Sequence, residues 1–250
     1  MRKLSLILLL AIFGMLSAVG LADEAKVKRI LFVLTSHGQK GDTGKPTGYY
    51  LAEVAHPYHV LSQRGFKIDF VSPKGGEPPV DGMDLKDPVN KAFWEDPAIQ
   101  KRLKSTLKPD EVKASDYAAI FYAGGHGTMW DFPDQEKLAE LASDIYEAGG
   151  LVAAVCHGPS ALVNIKLKDG SYLVKDHDLT GFTNEEEEAV GLTKVVPFLL
   201  EDRLRERGGR FHGVAKFEAN TVVSGRLITG QNPASATGVG TAIADTLENI

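Results

Sequence analysis

The stretch GGLVAAVCHGPSALVN, Gly149–Asn164, decides the fold. An apolar run over Gly150–Val155 stops abruptly at Cys156 and His157, and Gly158 and Pro159 follow at once. Glycine permits a tight turn, and proline suits the first turn of a helix. This is the strand–turn–helix order of a nucleophile elbow, with cysteine where hydrolases often carry serine. Such a turn lifts the side chain out of the sheet, and the free amides at the helix start favour a thiolate. Cys156 is the one cysteine among 250 residues, so no intrachain disulfide is available. A free cysteine is also a common apolar filler. Its place at a helix start points instead to a reactive group.

Similar runs lie elsewhere: Arg29–Thr35, Phe66–Val71 and Tyr117–Tyr122, with weaker ones at Leu179–Phe182 and Arg226–Thr229. The strong runs are almost continuously apolar, as strands covered on both faces should be. Helical spacing fills Tyr49–Arg64, Gln135–Glu147 and Ser160–Lys166. Strand–helix alternation implies a mostly parallel sheet wrapped by helices, with ligands at the carboxyl ends of the strands. The segment Lys74–Pro109, rich in Pro, Asp and Lys, reads as an insertion with little regular structure.

The first residues, MRKLSLILLLAIFGMLSAVGLA, have the layout of a secretory signal peptide. Arg2 and Lys3 precede an apolar core shorter than a spanning helix wants, and small residues at Gly20 and Ala22 mark a cleavage site after Ala22. The expected organisation is a leader over 1–22 and one domain over 23–250, in a periplasmic or secreted protein. The alternative is a leader retained as an anchor. The formal net charge is −5, and no Lys/Arg cluster offsets it, which excludes nucleic-acid binding by charge.

Around the elbow stand further candidates. His157 is a possible general acid/base, although its ring reaches its neighbour only if the backbone at Cys156 is strained. Its own N–H could face a developing oxyanion. The turn FYAGGHGTMWDFPD follows the third strand and opens on the same sheet edge. Gly124 and Gly125 allow close approach, and the Gly125 N–H is a second oxyanion donor. His126 could contact substrate or cap the next helix.

Glu53 lies on an amphipathic helix whose packed face is Leu51, Val54, Ala55 and Leu61; spacing leaves it pointing either to the site or to water. In GFTNEEEEAVG, Thr183 caps a helix and Glu186 completes a capping box, and one of the four glutamates could still turn inward to His157. His56 and His59 have ligand-like spacing without a convincing third ligand, so no metal is expected. HGQKGDTGKPTG fails as a phosphate loop, because Gly38 and Gly44 are wrongly spaced and Pro46 stands where Ser or Thr should be.

In TGYYLAEVAHPYHVL, AGGHGTMWDFPD, AAVCHGPSALV, GFTNEEEE and RLITGQNPASA, taken in order, the chain resembles the ThiJ/PfpI (DJ-1) superfamily. The AGGHGT and GFT segments are most similar to its heat-shock-protein-31-like, or glyoxalase III, branch. The resemblance implies a flavodoxin-like α/β three-layer sandwich, often a homodimer. It implies Cys156 as nucleophile with His157 beside it, Glu53 as the acid at the sulfur, and Glu187 as the third member of a Cys–His–Glu triad, with Glu186 a near alternative. Gly125 and His157 would supply the oxyanion amides. The activity implied is a cofactor-free glyoxalase converting methylglyoxal, or a related 2-oxoaldehyde, to lactate. The alternatives are a stress-responsive holdase for unfolded clients with a redox-sensing cysteine, and a peptidase or amidase using the same triad. A glutamine amidotransferase would carry a late His–x–Glu pair, and neither His177 nor His212 begins one.

Overall fold

The computed structural model describes residues 27–250, so the expected leader falls outside the described residues. Among the described residues, six strands form the central sheet: β1 (Arg29–Val33), β2 (Lys67–Val71), β3 (Ala119–Tyr122), β4 (Leu151–Val155), β5 (Thr221–Ser224) and β6 (Leu227–Gly230). Their spatial order is β2-β1-β3-β4-β6-β5, and every neighbouring pair is parallel except the β5–β6 hairpin. β3, β4 and β6 are buried throughout, which is why their sequences show no alternation.

Helices cover the sheet. α1 (Leu51–Gln63) buries Leu51, Val54, Ala55 and Leu61, and packs on α4 (Ala236–Glu248). α2 (Glu136–Glu147) turns Leu138, Leu141 and Ile145 onto β3 and β4. The short α3 (Asn184–Ala189) carries the glutamate run. The strand order reverses outward from β1 and β3, so the chain leaves them in opposite directions, and their carboxyl ends are the position at which open α/β sheets bind ligands.

Several local expectations need correction. The segment Lys74–Pro109 is not irregular: it holds helices Pro88–Glu95 and Pro97–Leu103. Each starts at an Asp-Pro pair, in which the aspartate accepts hydrogen bonds from the first free amides and the proline occupies N1. The helix expected at Ser160–Lys166 is a 3-10 turn over Gly158–Asn164. The run at Leu179–Phe182 reduces to Asp178–Leu179, paired with Arg210–Phe211 outside the main sheet.

Candidate active site

Cys156 follows the last residue of β4 and adopts φ +59°, the left-handed region that L-residues other than glycine and asparagine avoid. The cost is about 1–2 kcal/mol, and two hydrogen bonds hold the residue there. Its N–H donates to Gly230 O at the end of β6 (2.9 Å), and its carbonyl accepts from Phe182 N (2.8 Å). The strain brings His157 round onto its neighbour: Nδ1 lies 3.4 Å from Cys156 Sγ. The condition set by the sequence for that contact is therefore met.

On one side of the sulfur stands Glu53, in the first turn of α1. It is fully buried, and so are Leu51 and Val54 beside it. Gly124 makes the approach possible: a Cβ at that position would overlap Glu53 Oε2 and the Val155 carbonyl and crowd Cys156 Cβ. The Cys156 thiol and the Gly124 amide face the carboxyl, yet neither is aligned as a full hydrogen bond. Burial therefore dominates and pushes Glu53 up to about 8. Near neutral pH it is a protonated acid.

Cys156 is only 4% exposed. Burial, and after it a charge on Glu53, pushes the thiol well above its usual value. This departs from the thiolate-favouring helix start expected from the sequence. Desolvation outweighs the amides, and the turn that follows is 3-10 rather than α-helical. When Glu53 holds its proton, its repulsion vanishes and the carboxyl becomes a donor to the sulfur.

On the other side stands Glu187, on α3. The Thr183 hydroxyl caps this helix by accepting from Glu186 N (3.1 Å), and Glu186 Oε2 accepts from Thr183 N (2.9 Å). Glu186 faces away from the imidazoles: its other oxygen accepts from Phe217 N and Asn232 Nδ2, both at 2.8 Å. Glu187 instead reaches His157, with Oε2 2.8 Å from Nε2, and His126, with Oε1 3.1 Å from Nε2. Burial opposes its ionisation, but the two histidine hydrogen bonds outweigh it and hold the carboxyl down at about 2. Burial, followed by His126, pushes His157 down to about 4 against the pull of Glu187. At neutral pH a carboxylate thus faces a neutral imidazole. An ionised carboxylate only accepts, so His157 Nε2 carries the proton and Nδ1 presents a lone pair to the sulfur.

The glycine turn after β3 joins these parts. Gly125 has φ +104°, and a Cβ there would overlap the Gly48 carbonyl. The Thr128 hydroxyl donates to the carbonyls of Gly125 (2.9 Å) and His157 (3.0 Å), which ties the turn to the elbow. Among the described residues, no oxygen takes up the backbone N–H of Gly125 or of His157, and the His157 N–H faces the Cys156 sulfur. His126 does not cap the next helix; its ring lies on that of His157, with centroids 4.1 Å apart. His56 and His59 do not share a site, since His56 contacts Asp87 and Thr237 while His59 is exposed. The ligand-like grouping among the described residues is instead His126, His157 and Glu187, with donor atoms within 4.8 Å of one another.

Residues 46–246 match the model of the DJ-1/PfpI family. The chain belongs to that family. Among DJ-1/PfpI proteins, it is 34% identical over 238 residues to the glutathione-independent glyoxalase HSP31 of Saccharomyces cerevisiae, covering 89% of this chain and 99% of the yeast protein. Glyoxalase 3 of Candida albicans is 31% identical over 230 residues, covering 83% of this chain and 93% of its own. The crystal structure of Candida albicans glyoxalase III superposes with a TM-score of 0.82 at 28% identity, over 88% of this chain and 97% of the other. The Rapid Encystment Protein 24 kDa of Francisella tularensis gives 0.86 at 39% identity, over 88% and 99%.

Proposed function

We propose that this DJ-1/PfpI protein is a glutathione-independent glyoxalase that converts methylglyoxal, or a related 2-oxoaldehyde, to the 2-hydroxy acid. The observation that carries the reading is the pair of groups around Cys156: a carboxylic acid held protonated on one side and an imidazole held neutral on the other. The conversion moves hydrogen from one carbon to its neighbour, so it asks for a nucleophile, a base and an acid, with no net change of oxidation state. The names of the yeast relatives support the same reading.

In this mechanism Cys156 Sγ adds to the aldehyde carbon while His157 Nδ1 accepts the thiol proton and returns it to the new alkoxide. The Gly125 and His157 amides receive that oxygen as its charge develops. His157 Nδ1 then takes the carbon-bound proton of the hemithioacetal, and Glu53 donates its own to the ketone oxygen, giving an enediol. His157 returns a proton to the second carbon, and Glu53 regains one from the first hydroxyl, leaving a thioester. Water releases the hydroxy acid and the thiol. Glu187 holds the imidazole in the tautomer that each step needs.

Lactate formation by the purified protein, compared with Cys156→Ala and Glu53→Gln, tests this. Loss in the first and a fall of about 100- to 10,000-fold in the second are expected, since a positioned acid contributes that much. Equal activity in all three refutes the proposal, and an acyl-enzyme burst on peptide or amide substrates would replace it with the peptidase reading. We also propose, from the leader alone, that the protein acts outside the cytoplasm, and the intact mass of the exported protein tests cleavage after Ala22.

A further inference from the structure

A triad accounts for one oxygen of Glu187, and here both oxygens are engaged. Oε2 accepts from His157 and Oε1 from His126, which lies on the glycine turn that also carries the Gly125 amide. The two rings are in contact at 4.1 Å, and both lie against Phe182, at 4.3 Å for His157 and 5.9 Å for His126. The side chain of His126 is 15% exposed, against 1% for His157 and 4% for Glu187, so it closes the cluster on the solvent side. Without it, Oε1 would be a buried acceptor with no donor, an unfavourable arrangement that frees the carboxylate to turn.

Resting on the reading of Cys156, His157 and Glu187 as the reacting machinery, we propose that His126 is a positioning residue. It locks the second oxygen of Glu187 so that the first stays on His157 Nε2 and Nδ1 stays open toward the sulfur. This assigns His126 to the acid rather than to the substrate, the role the sequence allowed. It also makes one turn responsible for two tasks, since Gly125 and His126 are neighbours: the oxyanion amide and the clamp on the acid move together.

His126→Phe keeps a ring against Phe182 but removes the donor; His126→Gln restores an N–H toward Oε1. Nitrogen-15 NMR of the histidines at pH 7, with His157 assigned through His157→Asn, reads the tautomer without any substrate. Wild type and His126→Gln are expected to show one protonated and one bare ring nitrogen on His157, and His126→Phe an averaged pair. On methylglyoxal, His126→Phe should lose about 10- to 100-fold in kcat, the scale of a small misplacement at a reacting centre. Its KM should stay within about twofold, because uniform substrate binding is untouched, and His126→Gln should recover part of the loss. A wild-type tautomer in His126→Phe, or a rise in KM with kcat unchanged, overturns the proposal. A wild type inert toward methylglyoxal sinks the glyoxalase reading instead, and the NMR arm still decides where His126 acts.

Discussion

Glu53 and Glu187 are the same residue type, both are buried, and both reach the Cys156–His157 pair, one at the sulfur and the other at the imidazole. Their protons nevertheless sit on opposite sides of neutrality, at about 8 and about 2. Burial pushes both upward. Only Glu187 has two donors to overcome it, whereas neither oxygen of Glu53 has an aligned partner among the described residues. The difference shows that burial alone does not set a carboxyl's role: the count of donors converts one glutamate into an acid and the other into an anchor.

The strongest way to break this contrast is Glu187→Gln. An amide offers one acceptor and one donor where two imidazole N–H groups point, so one ring must turn or change tautomer. Turnover is expected to fall about 10³- to 10⁴-fold, the scale of losing a base's orienting carboxylate. Activity within a few-fold of wild type would show that Glu187 does not set the tautomer of His157.

Glu53→Gln sharpens the contrast through stability. Glu53 is raised in the folded protein, so the folded state holds a proton that the unfolded chain releases above pH 4.5. Its contribution is fully present below pH 4.5 and is lost as pH rises toward about 8. The variant should therefore melt at a higher temperature than wild type at pH 8, by up to about 5 kcal/mol of stability, with the gap closing near pH 4. For Glu187 the sign reverses: it is lowered, so its stabilisation is present above pH 4.5 and fades as pH falls toward 2. Parallel pH-dependent slopes for the two variants in thermal melts would refute the assignment.

The smallest expected effect is that of Gly124→Ala, which inserts a methyl between Glu53, Cys156 and the Val155 carbonyl. Overpacking of this kind costs about 1–3 kcal/mol. Denaturant melts read it, and an unchanged midpoint would mean the two groups are less closely apposed than the glycine contact indicates.

Much of this was legible in the chain, and the gaps have physical causes. The elbow, the glycine turn and the capping box announced themselves, because glycine, proline and threonine act through local backbone geometry. The orientation of Glu53 was not readable: it sits between buried Leu51 and buried Val54, at the border of the helix face, where helical periodicity does not distinguish core from solvent. His126 was readable as a residue but not as a partner of Glu187, since that pairing joins the glycine turn after β3 to the distant helix α3. The helices at Pro88–Glu95 and Pro97–Leu103 carried a signal in their Asp-Pro starts, which the abundance of charge and proline masked. The antiparallel strand β5 is half-polar and lies at the sheet edge, so it lacks the apolar run that marked the central strands.

The left-handed backbone at residue 156 is gripped by Phe182 and Gly230, and both are added to the growing chain after the cysteine itself. Until both Phe182 and β6 are in place, at least one of those bonds is missing, and non-local contacts of this kind carry a loop-closure cost before they form. A nascent or unfolded copy therefore carries an ordinary, relaxed thiol. The contact between His157 and the sulfur is thus a property of the completed sheet, not of the local sequence around residue 156.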